Sequence, residues 1–185
     1  MDKIRCSWCE KDDLYRTYHD KEWGRPVYDD ETIFEFLVLE SFQAGLSWYT
    51  ILRKRENFRK AFDSFDYTKI AAYDASKTDD LLQDAGIIRN RLKILATVNN
   101  AQRFIEVRQE FGSFSEYIWN FVGGKPIVNR PTVLKDIPAT SEISDALSKD
   151  LKKRGFKFLG STVVYAHMQA TGMVDDHILD CHCKK

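Results

Sequence analysis

Cys6 and His19 near the start of the chain, and His177 and Cys181 near its end, are four side chains of the kind that bind Zn²⁺, with almost all of the 185 residues between them. Two thiolates and two imidazoles form the tetrahedral sulfur–nitrogen set that zinc favours, and an ion held by four protein ligands keeps no open position for water or substrate. Metal at these residues would clasp the two ends of the chain, so bond-breaking chemistry must be sought elsewhere. Spacing supports the set only in part. His177-x3-Cys181 resembles half of a zinc site, whereas the separation from Cys6 to His19 is long. Cys9 and Cys183 compete, because Cys6-Ser7-Trp8-Cys9 is a C-x2-C pair and Cys181-His182-Cys183 adds donors beside the same ion. The alternative is four reduced, unligated cysteines; a chain of this length can bury a core without disulfide staples.

The second candidate is a carboxylate in the segment Leu39-Glu40-Ser41-Phe42-Gln43-Ala44-Gly45-Leu46-Ser47-Trp48. Glu40 falls at the C-terminal end of an otherwise apolar helix, where the dipole disfavours an anion, and burial adds to that cost unless a cation or a hydrogen-bond donor offsets it. On a wet helix face it would carry no meaning. Trp8, Tyr15, Tyr18, Trp23 and Trp48 supply aromatic faces, and a carboxylate among them would make a site for a flat cation.

The elements that must position these groups read as helices. Periodicity is helical nearly throughout, and the expected fold is all-α, with one strand-like extension near Pro126 to Val133. An apolar stripe predicts a helix over 30–42, stopped near Gly45, and Ser47 caps the next, which carries Trp48, Ile51, Leu52, Phe58 and Phe62 inward. Short and long helices follow over 76–85 and from about 91 to 111. Ser113-Phe114-Ser115-Glu116 reads as a capping box, Gly123-Gly124 ends its helix, and residues 125–139 are expected to be irregular. Final helices are expected over 141–154 and 161–170. Length and 43% hydrophobic content fit a single domain over 1–185 or two closely packed lobes, the Gly-Gly and proline stretch being the candidate boundary.

Composition narrows the partners. Lys and Arg number 28 and Asp and Glu 28, for zero net charge, so a broad electropositive field is excluded and any nucleic-acid contact must use local patches. Met1-Asp2-Lys3-Ile4-Arg5 opens without an apolar leader, and no run of about eighteen apolar residues occurs. The expected compartment is the cytoplasm. One local patch is the connection Asp84-Ala85-Gly86-Ile87-Ile88-Arg89-Asn90-Arg91, where helix-opening amides reinforced by Arg89, Arg91 and Lys93 could cradle a phosphate. Plain architecture is the competing reading. For Lys152-Lys153-Arg154, cations complementing a helix C-terminus are the better default.

Taken together, Cys6-Ser7-Trp8, Tyr18-His19-Asp20-Lys21-Glu22-Trp23-Gly24, Glu40 through Trp48, Asp84 through Arg89, Leu151-Lys152-Lys153-Arg154-Gly155-Phe156-Lys157-Phe158 and Asp176-His177 resemble the type I 3-methyladenine DNA glycosylases, in order and over essentially the whole chain. The resemblance implies a bundle of the helix-hairpin-helix glycosylase superfamily, with the hairpin at about 76–108, and a monofunctional base-excision repair enzyme. Its substrate would be double-stranded DNA containing alkylated adenine, and free 3-methyladenine its product. It further implies a structural zinc on Cys6, His19, His177 and Cys181, with Glu40 and Tyr18 hydrogen-bonded to the extruded base and Trp48 beneath it. Trp8, Tyr15 and Trp23 become pocket walls, and Leu46 enters the gap that the flipped nucleotide leaves. Phe42 departs from a polar residue that some members carry. The expected species is a monomer with no membrane contact. Two rivals stand beside this: a zinc-stapled helical DNA-binding module without catalysis, and a zinc hydrolase, which would need an open coordination position.

Overall fold

A computed structural model describes residues 3–184; Met1 and Asp2 of the polar opening, and Lys185, lie outside the described residues. The helices are α1 (Asp13–Lys21), α2 (Asp30–Gln43), α3 (Trp48–Ala61), α4 (Tyr67–Ile70), α5 (Ala75–Gln83), α6 (Arg91–Phe111), α7 (Phe114–Asn120), α8 (Glu142–Lys153) and α9 (Ser161–Ala170). Two short strands, β1 (Ile127–Val128) and β2 (Val174–Asp175), pair in parallel with Ile127 opposite Val174. The all-α expectation therefore holds, the strands being two residues each. None of the described helices is long and apolar enough to cross a membrane.

Helix α2 is the axis. Its residues from Ile33 to Phe42 are buried on every side, Glu35, Glu40 and Ser41 included, where the sequence predicted a one-sided apolar stripe, because the helices packed around α2 leave it no wet face. Helices α3, α6, α7 and α9 pack around it. Asp29 caps it by accepting from the Thr32 amide at 2.8 Å, and Asp30 reaches across to accept from the amides of Phe114 and Ser115, capping α7 from outside. Through this contact Phe34 meets Phe104 edge-on at 5.0 Å and Phe104 stacks on Phe114 at 4.1 Å between ring centroids. Leu147, Leu151, Val164 and Met168, beyond the proline stretch, belong to the same buried cluster as Phe34 and Phe104.

Most boundaries follow the local signals. Ser47 caps α3 and Asn90 caps α6 through side-chain oxygens. Ser113 accepts from the Glu116 amide as a cap should, but the reciprocal half of the box is not formed among the described residues, since the Glu116 carboxylate lies against Gly112. Ser141 and Ser144 form the complete box instead. Helices α1 and α4 and strand β2 had no counterpart in the sequence expectations. For α1 the available signal was Asp12, which caps it by accepting from the Tyr15 amide at 2.9 Å.

Two consequences of the packing are measurable. His167 on α9 is buried against α2, its Nε2 3.1 Å from the Ile33 carbonyl, and burial lowers its pKa to about 4. The folded state thus resists a proton that the unfolded chain accepts near 6.5, and stability is lost as pH falls from about 6.5 towards 4. The span corresponds to about 3 kcal/mol at ~1.4 kcal/mol per unit. His167→Gln should flatten that limb in melts recorded between pH 4 and 7; an unaltered limb would assign the loss to other groups. Gly172 closes α9 at φ +67°, and a Cβ there would lie 2.1 Å from the Arg25 carbonyl carbon. Gly172→Ala should cost about 3 kcal/mol or more, combining a left-handed backbone with a backbone clash, and lower Tm by roughly 10 °C.

Candidate active site

On α1, adjacent residues face different sites because successive helical positions are rotated by about 100°. Tyr18 turns toward a cavity and His19 toward the chain termini, both buried. The cavity has a volume of about 290 Å³ and is lined by Trp8, Tyr15, Tyr18, Trp23, Glu40 and Trp48, all six named from sequence, and also by Gln43, Leu134, Ile137, Ala166 and Gln169. These last five escaped the sequence reading, since two are ordinary glutamines and three are apolar residues whose place depends on how α9 and the 125–139 segment fold back.

The walls are continuous. Trp8 meets Tyr15 and Trp23 edge-on, each at 5.0 Å, while Tyr18 lies 5.3 Å from Trp48, and Phe36, one turn before Glu40, backs both rings. Glu40 is only 4% exposed, and its Oε2 has no hydrogen-bond partner among the described residues; the same holds for the buried Trp48 Nε1. Desolvation lifts the Glu40 carboxyl to about 8, with no cationic side chain among the described residues to oppose it. Burial also raises the Tyr18 hydroxyl well above its ordinary value, with the Glu40 charge the next cause, so the phenol remains a proton donor.

A second, smaller cavity of about 170 Å³ continues from the first, sharing Glu40, Gln43 and Ala166 and adding Ala44, Gly45, Leu46 and the start of α9 at Thr162 and Val163. Leu46 stands at the tip of the α2–α3 turn and is 42% exposed. Lys93, at the start of α6, is buried and donates to the carbonyls of Phe42 and Ala44 at 2.8 and 2.6 Å, fastening this turn to the α5–α6 connection. Phe42 itself points into the core, 4.9 Å from Phe58, so its departure from a polar residue leaves the turn's polar character to Gln43. In the α5–α6 connection, the Gly86 amide donates to Asp84 Oδ1 at 2.7 Å and is engaged internally. Arg91 pairs with Asp79 at 3.2 Å, whereas Arg89 is exposed and forms no ion pair among the described residues.

The termini meet beside the aromatic wall. His19, His177, Cys181 and Cys183 offer donor atoms that all lie within 4.8 Å of one another. Cys6 is buried beside Cys181 but is outside that mutual set, which Cys183 enters. The surroundings suit a metal: His19 Nδ1 lies 2.8 Å from Asp20 and His177 Nδ1 2.7 Å from Asp175, so carboxylates orient both rings and leave Nε2 toward the thiols. His177 Nε2 is buried with no hydrogen-bond partner among the described residues, and His19 Nε2 is 3.5 Å from Cys181 Sγ. Burial pushes the Cys6 thiol up to about 12, a cost that a divalent cation offsets by holding the thiolate. Gly24 passes so close that a Cβ would sit 2.8 Å from His177 Cε1, and the Trp23 ring lies 4.7 Å from His177. The donor cluster thereby braces the cavity wall.

Residues 8–184 match the methyladenine glycosylase family. The chain belongs to that family. It is 49% identical over 179 residues to the DNA-3-methyladenine glycosylase 1 of Escherichia coli, covering 97% of this chain and 96% of that protein. A crystal structure of a 3-methyladenine DNA glycosylase I superposes with a TM-score of 0.96 at 48% identity, over 98% of this chain and all of that one. The Staphylococcus aureus 3-methyladenine DNA glycosylase I, solved for its recognition of 3-methyladenine, gives 0.94 at 41% identity, covering 98% and 96% of the two chains.

Proposed function

We propose that this methyladenine glycosylase hydrolyses the N-glycosidic bond of 3-methyladenine in alkylated double-stranded DNA, leaving an abasic site and the free base. The observation that carries the proposal is the buried Glu40 carboxylate, one oxygen unsatisfied, at the edge of a cavity walled by Tyr18 and Trp48. Methylation at N3 makes adenine a cation, and cleavage releases it as a neutral base. A leaving group activated in this way needs no protein acid, so recognising the cation can supply selectivity while the bond is intrinsically weak. The base must leave the stack to be reached, and a damaged base costs less to extrude.

In this mechanism Trp48 lies beneath the flat cation with Trp8 as a wall, the Tyr18 hydroxyl donates to the base, and Glu40 Oε2 accepts from it. Glu40 acts by charge and hydrogen bonding, and water is the nucleophile. Leu46 enters the gap in the duplex, while Arg89 at the α5–α6 connection meets the backbone. Zn²⁺ held by His19, His177 and Cys181, with Cys6 or Cys183 as the fourth ligand, would hold the termini together and take no part in bond cleavage. The enzyme works as a cytoplasmic monomer. Chromatography of the bases freed from methylated DNA tests the central point: 3-methyladenine is expected, and its absence with folded protein would favour a DNA-binding module without chemistry.

A further inference from the structure

We propose that Gln169 is a specificity-determining residue, its side-chain carbonyl held by Asp176 as a fixed acceptor that admits a 6-amino purine and turns away a 6-oxo purine. This assignment rests on the excision of 3-methyladenine inferred above. Gln169 sits on α9 one turn beyond Ala166, and both line the base cavity. Its Nε2 donates to Asp176 Oδ2 at 2.8 Å. Asp176 is only 1% exposed, and its oxygens also accept from the Tyr165 hydroxyl and the Asn129 amide, each at 2.7 Å. With three donors converging on it, the carboxylate has nothing to offer an acceptor, so reversing the Gln169 amide would set oxygen against oxygen.

The amide orientation is thereby fixed, and it is Oε1 that remains. Oε1 accepts no hydrogen bond among the described residues, and Gln169 is one of the residues that line the cavity. The main chain is held as well, since the Gln169 carbonyl accepts from the Gly24 amide at 2.9 Å beside Trp23. Glu40 and Gln169 then make two acceptors in one small cavity. An exocyclic amino group carries two N–H donors and can satisfy both, whereas a carbonyl at the same ring position satisfies neither and leaves acceptors facing each other. Polar groups built to bond a donor reject an analogue lacking it far more strongly than an apolar wall does.

The test compares excision of 3-methyladenine and 3-methylguanine from the same methylated DNA by the wild type, Gln169→Met and Asp176→Asn, with folding checked by melting temperature. Met keeps the length and removes the carbonyl, while Asn at 176 releases the amide to turn. We expect the kcat/KM ratio for the two bases to fall at least tenfold in both variants, mainly through loss of 3-methyladenine excision. An unchanged ratio in either folded variant, or equal losses on both bases, overturns the role of Gln169. Should Gln169→Met not fold, Asp176→Asn decides. A wild type that releases neither base would instead overturn the activity itself.

Discussion

Glu40→Gln is expected to lower kcat/KM for 3-methyladenine excision by about 100-fold while raising the melting temperature. The loss corresponds to ~2.7 kcal/mol, within the range of a hydrogen bond to a charged partner, and the neutral amide gives up the charge that meets the cation. The gain has the opposite origin. Burial lifts the folded carboxyl from 4.5 to about 8, so between those values the unfolded chain releases a proton that the folded protein retains. Stability therefore falls as pH rises from about 4.5 to 8, at ~1.4 kcal/mol per unit for this group, and is constant on either side. Removing the ionisable group cancels that decline, and the variant's advantage in Tm should be largest above pH 8 and vanish near pH 4. The wild-type kcat/KM should rise through about pH 8 as the carboxylate forms, and the variant should lack this limb. Equal kcat/KM and identical limbs in the two proteins would remove Glu40 from the reaction.

Disrupting the terminal donor cluster should have the next largest effect, and on stability before chemistry. His177→Ala is expected to abolish zinc retention through dialysis and to lower Tm by more than about 10 °C, at ~2–4 °C per kcal/mol for a chain of this size. Closing a loop that spans nearly the whole sequence restricts the unfolded chain, and ligand binding becomes folding energy. The cavity should loosen with it, because His19 shares α1 with Tyr15 and Tyr18, and Trp23 rests on His177. Chelation should thus weaken binding of free 3-methyladenine, by roughly tenfold, although no pocket residue has changed, because the wall that rests on the cluster is no longer held in place. Protein stripped of metal with the same Tm and affinity would leave the cluster without this task. Comparing zinc retained by Cys6→Ser and Cys183→Ser would separate the two thiols as the fourth ligand of the proposed site, since Cys183 shares the compact donor set and Cys6 lies beside Cys181.

The legible parts of the fold were those whose signal is local. Ser47 and Ser113 cap helices where their hydroxyls predict, and the apolar stripe over 30–42 marks a helix without saying that all its faces are buried. Helix α1 was harder to see, since it is short and mostly polar, with only Tyr18 and His19 buried. Strand β2 is two residues long and exists because β1 lies beside it, a pairing between positions nearly fifty residues apart that no local pattern encodes.

The same division runs through the site. Residue types and order set out a carboxylate at 40, aromatic rings at 8, 15, 18, 23 and 48, and thiol and imidazole donors at both ends, and through the resemblance these motifs carry they pointed to the methyladenine glycosylase family. Whether Glu40 meets water or an apolar cavity could be decided only by packing, since burial depends on what α1, α3 and α9 place over it, and that burial moves its carboxyl to about 8. The tertiary structure likewise brought Cys183 among the donors, turned Phe42 into the core, engaged the Gly86 amide and delivered Gln169 to the cavity with its amide fixed by Asp176. A sequence carries chemical identity and short-range geometry; desolvation and the convergence of distant side chains arise only when the chain closes on itself.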